Sequence, residues 1–318
     1  ELIIDTQDTY TLFDRGSSPL PKDRVVSYSK FRTLAERTDT SLPVDAPASL
    51  PPPPAGISFA ELRSAEIPDL SGYGTRESAF EGGESAAKRH LKTYFGSPHA
   101  SSYKKTRNEL DGWETSSKFS PWLNSGSLSV RRALATLRSY EQTAGANEST
   151  YWLYVELLWR EYFQWIAVQI GPKLFSLRGI SSCGGFKCFY PERFEKWCQG
   201  TTPYPLVNAC MKQLKATGYL SNRGRQIVAS CLVNELEMDW RYGAAWFEHQ
   251  LCDYDVASNW GNWQYIAGVG VDPRGGRHFN LQKQTETYDP QGSYVARWSP
   301  GPVLHTLDTR DAADWPIG

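Results

Sequence analysis

The 318-residue sequence predicts a mainly α-helical protein. From Gly82 onward, apolar residues recur at the spacing of amphipathic helices. No segment shows the strict apolar and polar alternation of half-buried strands, and no unit repeats at the periods of solenoid proteins. With 40% hydrophobic and 22% charged residues, the chain is long enough to bury a sizeable core.

The predicted elements follow in chain order. Val25 to Leu34 is the one stretch of the first 40 residues that resembles a helix or a strand end. Residues 42–56 include four consecutive prolines, which favour extended backbone and exclude a helix interior, so they form a predicted linker. GGESAAKRHLKTYF, from Gly82, opens a helix with Glu84 in its first turn. Further helices are predicted at 130–142, 150–170, 191–199, 205–217, 225–236 and 240–251.

Composition limits the possible functions. The net charge of −1 provides no global basic field, so nucleic acid would have to bind a local cluster of arginines. No apolar run is long enough for a membrane span. The six cysteines form no CxxC pair or His-flanked pattern, which favours reduced packing thiols and no metal site. Because the chain lacks Met at position 1, a targeting segment is not excluded, and nucleus, cytoplasm and organelle all stay open as compartments.

The predicted helix 150–170 carries a carboxylate within an aromatic stripe. Trp152, Glu156, Trp159 and Phe163 are spaced so that they share one helix face. An ionised carboxylate in an apolar wall needs hydrogen-bond partners, or its pKa rises. The simplest interpretation is a surface ion pair between Glu156 and Arg160, one turn later. With 12 Trp and 17 Tyr, the chain could also build a large aromatic pocket.

Three stretches carry a family resemblance. They are SYKKTRNELDGWETSSKFS from Ser102, STYWLYVELLWREY from Ser149, and a block from Thr217 to Gln284 that contains TGYLSNRGRQIVAS, LCDYDVASNWGNWQY and DPRGGRHFNLQKQ. Together they resemble the flavin domain of the photolyase/cryptochrome family, in particular cryptochrome DASH, over roughly residues 82–298. The resemblance implies an all-helical FAD-binding domain, with the family's N-terminal α/β antenna domain absent from this chain. A folate antenna is then expected only if such a domain exists elsewhere.

The resemblance implies a set of FAD-binding residues. Ser116, Ser117 and Ser120 lie at a predicted helix start, a pattern that suits a phosphate cradle but also an ordinary serine-rich helix cap. Arg225 is expected to pair with Asp253 beside the isoalloxazine ring, although a purely structural salt bridge is the alternative. Asp255 would bond the ribose or the ring edge, and Asn259 would face the ring's N5. The full implied set is Tyr103, Ser116, Ser117, Lys118, Phe119, Ser120, Trp152, Arg160, Asn222, Arg225, Asp253, Asp255 and Asn259.

The resemblance also implies a reaction. Blue light would drive electron transfer from reduced FAD to a cyclobutane pyrimidine dimer, mainly in single-stranded DNA, with the dimer flipped into a cavity. A protonated Glu156 would donate a hydrogen bond to a carbonyl that gains charge. The implied catalytic residues are Glu156, Trp159, Asn222, Gln226 and Tyr265, and the implied DNA contacts are Arg107, Arg223 and Arg277. The alternatives are a light sensor with little repair activity, or a flavin enzyme that acts on a small apolar metabolite.

Two departures from the family are visible. Trp263 and Trp240 match the inner two tryptophans of a photoreduction chain, but the third position is Lys187. We therefore expect inefficient photoreduction unless Tyr190 or another aromatic residue substitutes. The second departure is the missing antenna domain. The expected organisation is a remnant of that domain at 1–40, a proline-rich linker at 41–81, the helical FAD-binding domain at 82–300 and a tail at 301–318.

Overall fold

Helices dominate the structure, a computed structural model that describes residues 10–45, 47–49, 52, 79–181, 188–271, 275–302 and 306–307. Its α-helices are α1 (Tyr28–Ala35), α2 (Glu84–Phe95), α3 (His99–Thr106), α4 (Ser120–Asn124), α5 (Val130–Ala144), α6 (Glu148–Ile170), α7 (Pro191–Gln199), α8 (Pro205–Thr217), α9 (Asn222–Ser230), α10 (Trp240–Gln250), α11 (Val256–Ala267), α12 (Leu281–Tyr288) and α13 (Ser293–Trp298). Within the described residues, β pairing is limited to an isolated bridge between Cys188 and Met238. The mainly α fold is thus confirmed, and the described part of the chain contains no α/β domain.

Residues at the helix ends explain which helix bounds are predicted correctly from the sequence. Helices α7 and α8 both match their predicted bounds, because each begins with proline and ends at a glycine with left-handed backbone, Gly200 or Gly218. Helix α6 begins at Glu148, two residues before the prediction, because Asn147 and Thr150 form a capping box.

The predicted helix 225–236 is wrong at its start and in its regularity. Ser221 caps α9 by accepting a hydrogen bond from the backbone N–H of Gly224, so the helix begins three residues earlier at Asn222. Its continuation, Cys231–Glu235, is a π-helix. The prediction lists neither α11 nor the shorter helices α3, α12 and α13.

Among the described residues, the interior forms two hydrophobic clusters with α6 between them. The first joins α5 and α6 to the N-terminal segment, where Leu12, Phe13 and Phe31 are fully buried. The second surrounds Trp197 and includes residues of α8 to α11. Gly261 lets α11 approach α6 closely, because a Cβ atom at this position would lie 2.3 Å from the ring of Phe163.

The remaining expectations about the chain concern its first 81 residues, its thiols and membranes. Most of the predicted proline-rich linker lies outside the described residues, as does Cys183; the other five cysteines are free thiols. No described helix combines the length and apolar character that a membrane span requires. Within the described ranges, no three metal-binding side chains cluster together.

Candidate functional site

Two adjoining cavities of about 250 Å³ and about 230 Å³ form one cleft between α6, α9 and α11. They share Ser120, Tyr219, Asn222, Arg225, Asp253, Asp255 and Ser258 as lining residues. Twelve of the thirteen predicted FAD-binding residues line this cleft; the remaining one, Trp152, lies outside it. Arg107, Glu156, Gln226 and Trp263 also line the cleft. Residues distant in sequence therefore converge on one site.

The predicted pair of Arg225 and Asp253 forms at the centre of the cleft. One guanidinium nitrogen of Arg225 donates to both carboxylate oxygens of Asp253, at 2.9 Å and 2.8 Å. The Nε of Arg225 donates to the carbonyl of Leu220 at 2.8 Å. Burial by itself would lower the pKa of Arg225, but Asp253 and Tyr219 together raise it above its ordinary value. The result is a fixed cation that faces the cleft.

The segment before α4 presents the predicted cradle to the larger cavity. Lys118 has left-handed backbone, with φ of 54°, and its side chain is buried, with the ammonium 4.8 Å from the ring centroid of Tyr219. Burial lowers the pKa of Lys118 to about 8. Such backbone strain and a destabilised cation are typical of ligand sites, because a bound anion would stabilise the charged form.

Glu156 pairs with a different arginine from the one the sequence suggested. It forms an ion pair with Arg107, while Arg160 turns away to place its guanidinium 4.1 Å from the ring centroid of Tyr10. The pattern along α6 cannot show this pair, because Arg107 lies at the end of a different helix, α3, which packs against α6. Arg107 also lies over the ring of Trp152, at 4.8 Å, so Trp152 supports Arg107 rather than lining the cleft.

Trp159 and Tyr265 face a third, much smaller cavity of about 20 Å³. Their rings meet edge to face at 5.8 Å, and Tyr28 stacks on Trp159 with a centroid separation of 3.5 Å. Arg277 donates a hydrogen bond to the hydroxyl of Tyr265. The predicted catalytic residues thus fall into two groups, with Glu156, Asn222 and Gln226 on the cleft and the two aromatic residues apart from it.

Arg223 does not line the cleft. Its guanidinium donates to Asn108 at 3.1 Å and lies 4.9 Å from the ring centroid of Tyr288. Two residues apart on α9, Arg223 and Arg225 thus project from different faces of the helix.

The two predicted electron-transfer residues have different neighbours. Trp263 lines the cleft and meets Trp197 and Phe247 edge to face, at 6.2 Å and 5.2 Å. A Cβ atom on Gly243 would lie 2.2 Å from the Trp263 ring, so glycine is needed for this contact. Trp240 packs against Trp260 at 5.7 Å. Lys187 lies outside the described residues.

Several residues at or near the cleft were not predicted. Tyr219 and Ser258 line it directly, and each lies within one of the motifs that carry the family resemblance. Gln164 and Tyr10 bind the carboxylate of Asp255. No local signal marks Tyr10, because 245 residues separate it from Asp255.

Comparisons with known proteins give consistent matches. Residues 152–315 match the family model of the FAD binding domain of DNA photolyase. The chain is 53% identical to cryptochrome DASH of Idiomarina loihiensis over 308 residues, which is 96% of this chain and 68% of that protein. It is also 53% identical to cryptochrome DASH of Vibrio parahaemolyticus, over 99% of this chain and 70% of that protein. A Synechocystis cryptochrome structure matches with a TM-score of 0.78 and 38% identity, over 92% of this chain and 62% of that one.

Proposed function

Because this chain belongs to the cryptochrome DASH family and carries its FAD-binding domain, we propose that it repairs cyclobutane pyrimidine dimers, mainly in single-stranded DNA, using FAD and blue light. FAD is the cofactor that this domain binds. The chain spans about two thirds of the relatives it resembles, so the activity of a whole family member is part of the proposal. When bound, FAD supplies the electron that splits the dimer and takes it back afterwards.

One observation carries the proposal. Glu156, Asn222 and Gln226 open onto the same cleft as the Arg225 and Asp253 pair. Residues assigned to the dimer and residues assigned to FAD therefore share one cleft. Electron transfer with return requires such proximity, and the low dielectric of a shared cleft strengthens each hydrogen bond to a group that gains charge.

The chemistry of the lining residues fits FAD. The second amino nitrogen of Arg160 is buried and has no hydrogen-bond acceptor within the described residues, although Arg160 lines the cleft. Lys118 is a buried cation beside the hydroxyl groups of Ser116 and Ser117. Buried donors of this kind need an anionic or polar ligand, and the diphosphate and hydroxyl groups of FAD supply one.

The pKa of Lys118 predicts how FAD binding depends on pH. An anionic diphosphate stabilises the protonated amine, so the bound form should have a higher pKa than the free form, which lies at about 8. FAD affinity should be maximal below pH 8 and fall by up to about tenfold between pH 8 and 9. Titration of the apoprotein with FAD at several pH values measures this dependence.

Two variants test the cause of that dependence. Lys118→Met should bind FAD more weakly at pH 7.5 and show little change up to pH 9. Lys104→Met, at a surface pair with Glu148, should keep the wild-type profile. If Lys118→Met lost FAD affinity between pH 8 and 9 as strongly as wild type, a group other than Lys118 would be responsible for the pH dependence.

The Arg107 and Glu156 pair suggests how DNA engages the cleft. In the structure the carboxyl group of Glu156 is held by Arg107, whereas the proposed role requires it to face the dimer. A DNA phosphate would compete with Glu156 for Arg107 and so release this carboxyl group toward the cleft. Arg223 and Arg277 are the other proposed DNA contacts. Trp159 and Tyr265 would contribute stacking only if the dimer reaches beyond the described cleft toward their cavity.

A repair assay tests the proposal directly. Fully reduced protein under blue light should repair a dimer in a single-stranded oligonucleotide. Glu156→Ala should lower the yield about tenfold, because it removes one hydrogen bond to a charged group, while FAD stays bound. Glu148→Ala, a surface carboxylate paired with Lys104, should repair normally.

The outcomes separate the alternatives. Absence of repair in single-stranded and duplex DNA, with FAD bound and reduced, would refute the repair function and favour the sensor or the metabolite enzyme. Trp263 and Trp240 are the proposed electron carriers. The proposed domain division is an N-terminal remnant at 1–40, a linker at 41–81, the FAD-binding domain at 82–300 and a tail at 301–318.

A further inference from the structure

The N-terminal segment that precedes α1 lies across α6. The carboxylate of Glu161 accepts hydrogen bonds from the backbone N–H groups of Leu12, at 2.8 Å, and Phe13, at 3.2 Å. The buried Arg131 of α5 donates to the carbonyl of Thr11 at 2.9 Å. These bonds hold the backbone of residues 11–13 in place and set the position of the residue before them.

That residue, Tyr10, contacts two cleft residues at once. Its hydroxyl donates to Oδ2 of Asp255 at 2.6 Å. The guanidinium of Arg160 lies 4.1 Å from its ring centroid and donates to its carbonyl at 2.8 Å. Tyr10 therefore links α6 to the start of α11, behind the wall of the cleft.

Asp255 is held by three separate elements. Besides Tyr10, it accepts hydrogen bonds from Gln164 of α6, at 2.8 Å and 3.0 Å, and from the backbone N–H of Ser258, at 2.7 Å. Burial alone would raise the pKa of Asp255, but the bonds from Ser258 and Tyr10 hold it below its ordinary value. The carboxylate is thus an oriented anion with few remaining acceptor positions.

Arg160 is oriented in the same way. The contact with Tyr10 fixes one end of its guanidinium, and the other amino nitrogen remains buried without an acceptor in the described residues. A planar guanidinium held by its face and one edge presents its remaining donors in a defined direction. Since Arg160 lines the cleft, a ligand there is the natural acceptor.

We propose that Tyr10 is a positioning residue of the FAD site, which orients Asp255 toward a hydroxyl or ring N–H of FAD and Arg160 toward an acceptor on it. The inference rests on the proposed assignment of Asp255 and Arg160 to FAD and does not depend on DNA repair. It extends the site to a segment outside residues 82–298, where the family motifs lie.

Equilibrium and kinetic binding of FAD test this role without any DNA. The FAD dissociation constant and dissociation rate are measured on wild type, Tyr10→Phe and Tyr162→Phe, together with urea unfolding of each apoprotein. Tyr162→Phe is the matched control, because its hydroxyl also ties the N-terminal segment to α6, through the carbonyl of Val26, and its ring faces the small cavity beside Trp159 instead of the cleft. Asp255→Asn serves as the reference for the assignment.

Tyr10→Phe should raise the dissociation constant about 5- to 30-fold, because it removes one hydrogen bond to a charged group. Tyr162→Phe should lower the free energy of unfolding of the apoprotein about as much as Tyr10→Phe does, because each loses one hydrogen bond. Its FAD dissociation constant should stay within about twofold of the wild-type value. A Tyr10→Phe value within twofold of wild type, with Asp255→Asn impaired, would overturn the role of Tyr10 alone. An unimpaired Asp255→Asn would overturn the assignment of Asp255 to FAD as well.

Discussion

Asp253→Ala is expected to weaken FAD binding by at least about 100-fold and to lower the free energy of unfolding by about 3 kcal/mol. The substitution leaves Arg225 as a buried cation without its carboxylate. The loss of unfolding free energy should lie at the lower end of the range for broken buried ion pairs, because 25% of the Arg225 side chain is exposed to the cleft. Urea unfolding of the apoprotein and FAD titration measure the two effects separately.

A charge-neutral double variant distinguishes the stability role of this pair from its binding role. Arg225→Met with Asp253→Leu should recover most of the lost stability, since well-packed apolar residues often replace a buried pair without cost. It should not recover FAD binding, because both polar groups are gone. Asp45→Ala, at an exposed pair with Arg132, is the control and should change stability by less than about 0.5 kcal/mol. Full FAD binding by the double variant would make the pair purely structural.

Glu161→Ala is expected to lower the free energy of unfolding by about 3–5 kcal/mol. The fully buried carboxylate accepts bonds from the backbone N–H groups of Leu12 and Phe13 and from the indole N–H of Trp165. All three donors would lose their partner while they remain buried. The midpoint of urea unfolding checks this value.

Two further variants make the Glu161 result specific. Glu161→Gln should lower the free energy of unfolding less than Glu161→Ala, because the amide keeps one oxygen as a hydrogen-bond acceptor. The amide is also uncharged, so it avoids the burial of a charge that raises the pKa of Glu161. Glu36→Ala removes a partly exposed carboxylate that accepts a bond from Tyr151, and it should cost less than about 1 kcal/mol. Equal costs for Glu161→Ala and Glu36→Ala would contradict the role of Glu161 as the anchor of the N-terminal segment.

Local signals account for the features that could be predicted from the sequence. Proline and glycine fix the backbone at the ends of α7 and α8, so both helices have their predicted bounds. Long ordered motifs led to the family and to FAD. They also indicated the pair of Arg225 and Asp253, which forms as expected. These conclusions depend on residues close together in the chain, or on motifs whose order is itself informative.

Tertiary structure decided which of the marked side chains meet. Glu156 and Arg160 are one helical turn apart, yet α3 brings Arg107 to Glu156 and the N-terminal segment brings Tyr10 to Arg160. The helical pattern cannot show this, because it specifies which face a residue occupies and not which element packs there. By itself, the sequence determined the helical class, the family and the cofactor. Only packing between distant segments decided the partners of Glu156, Arg160 and Asp255, since those contacts arise from the shared burial of residues far apart in the chain.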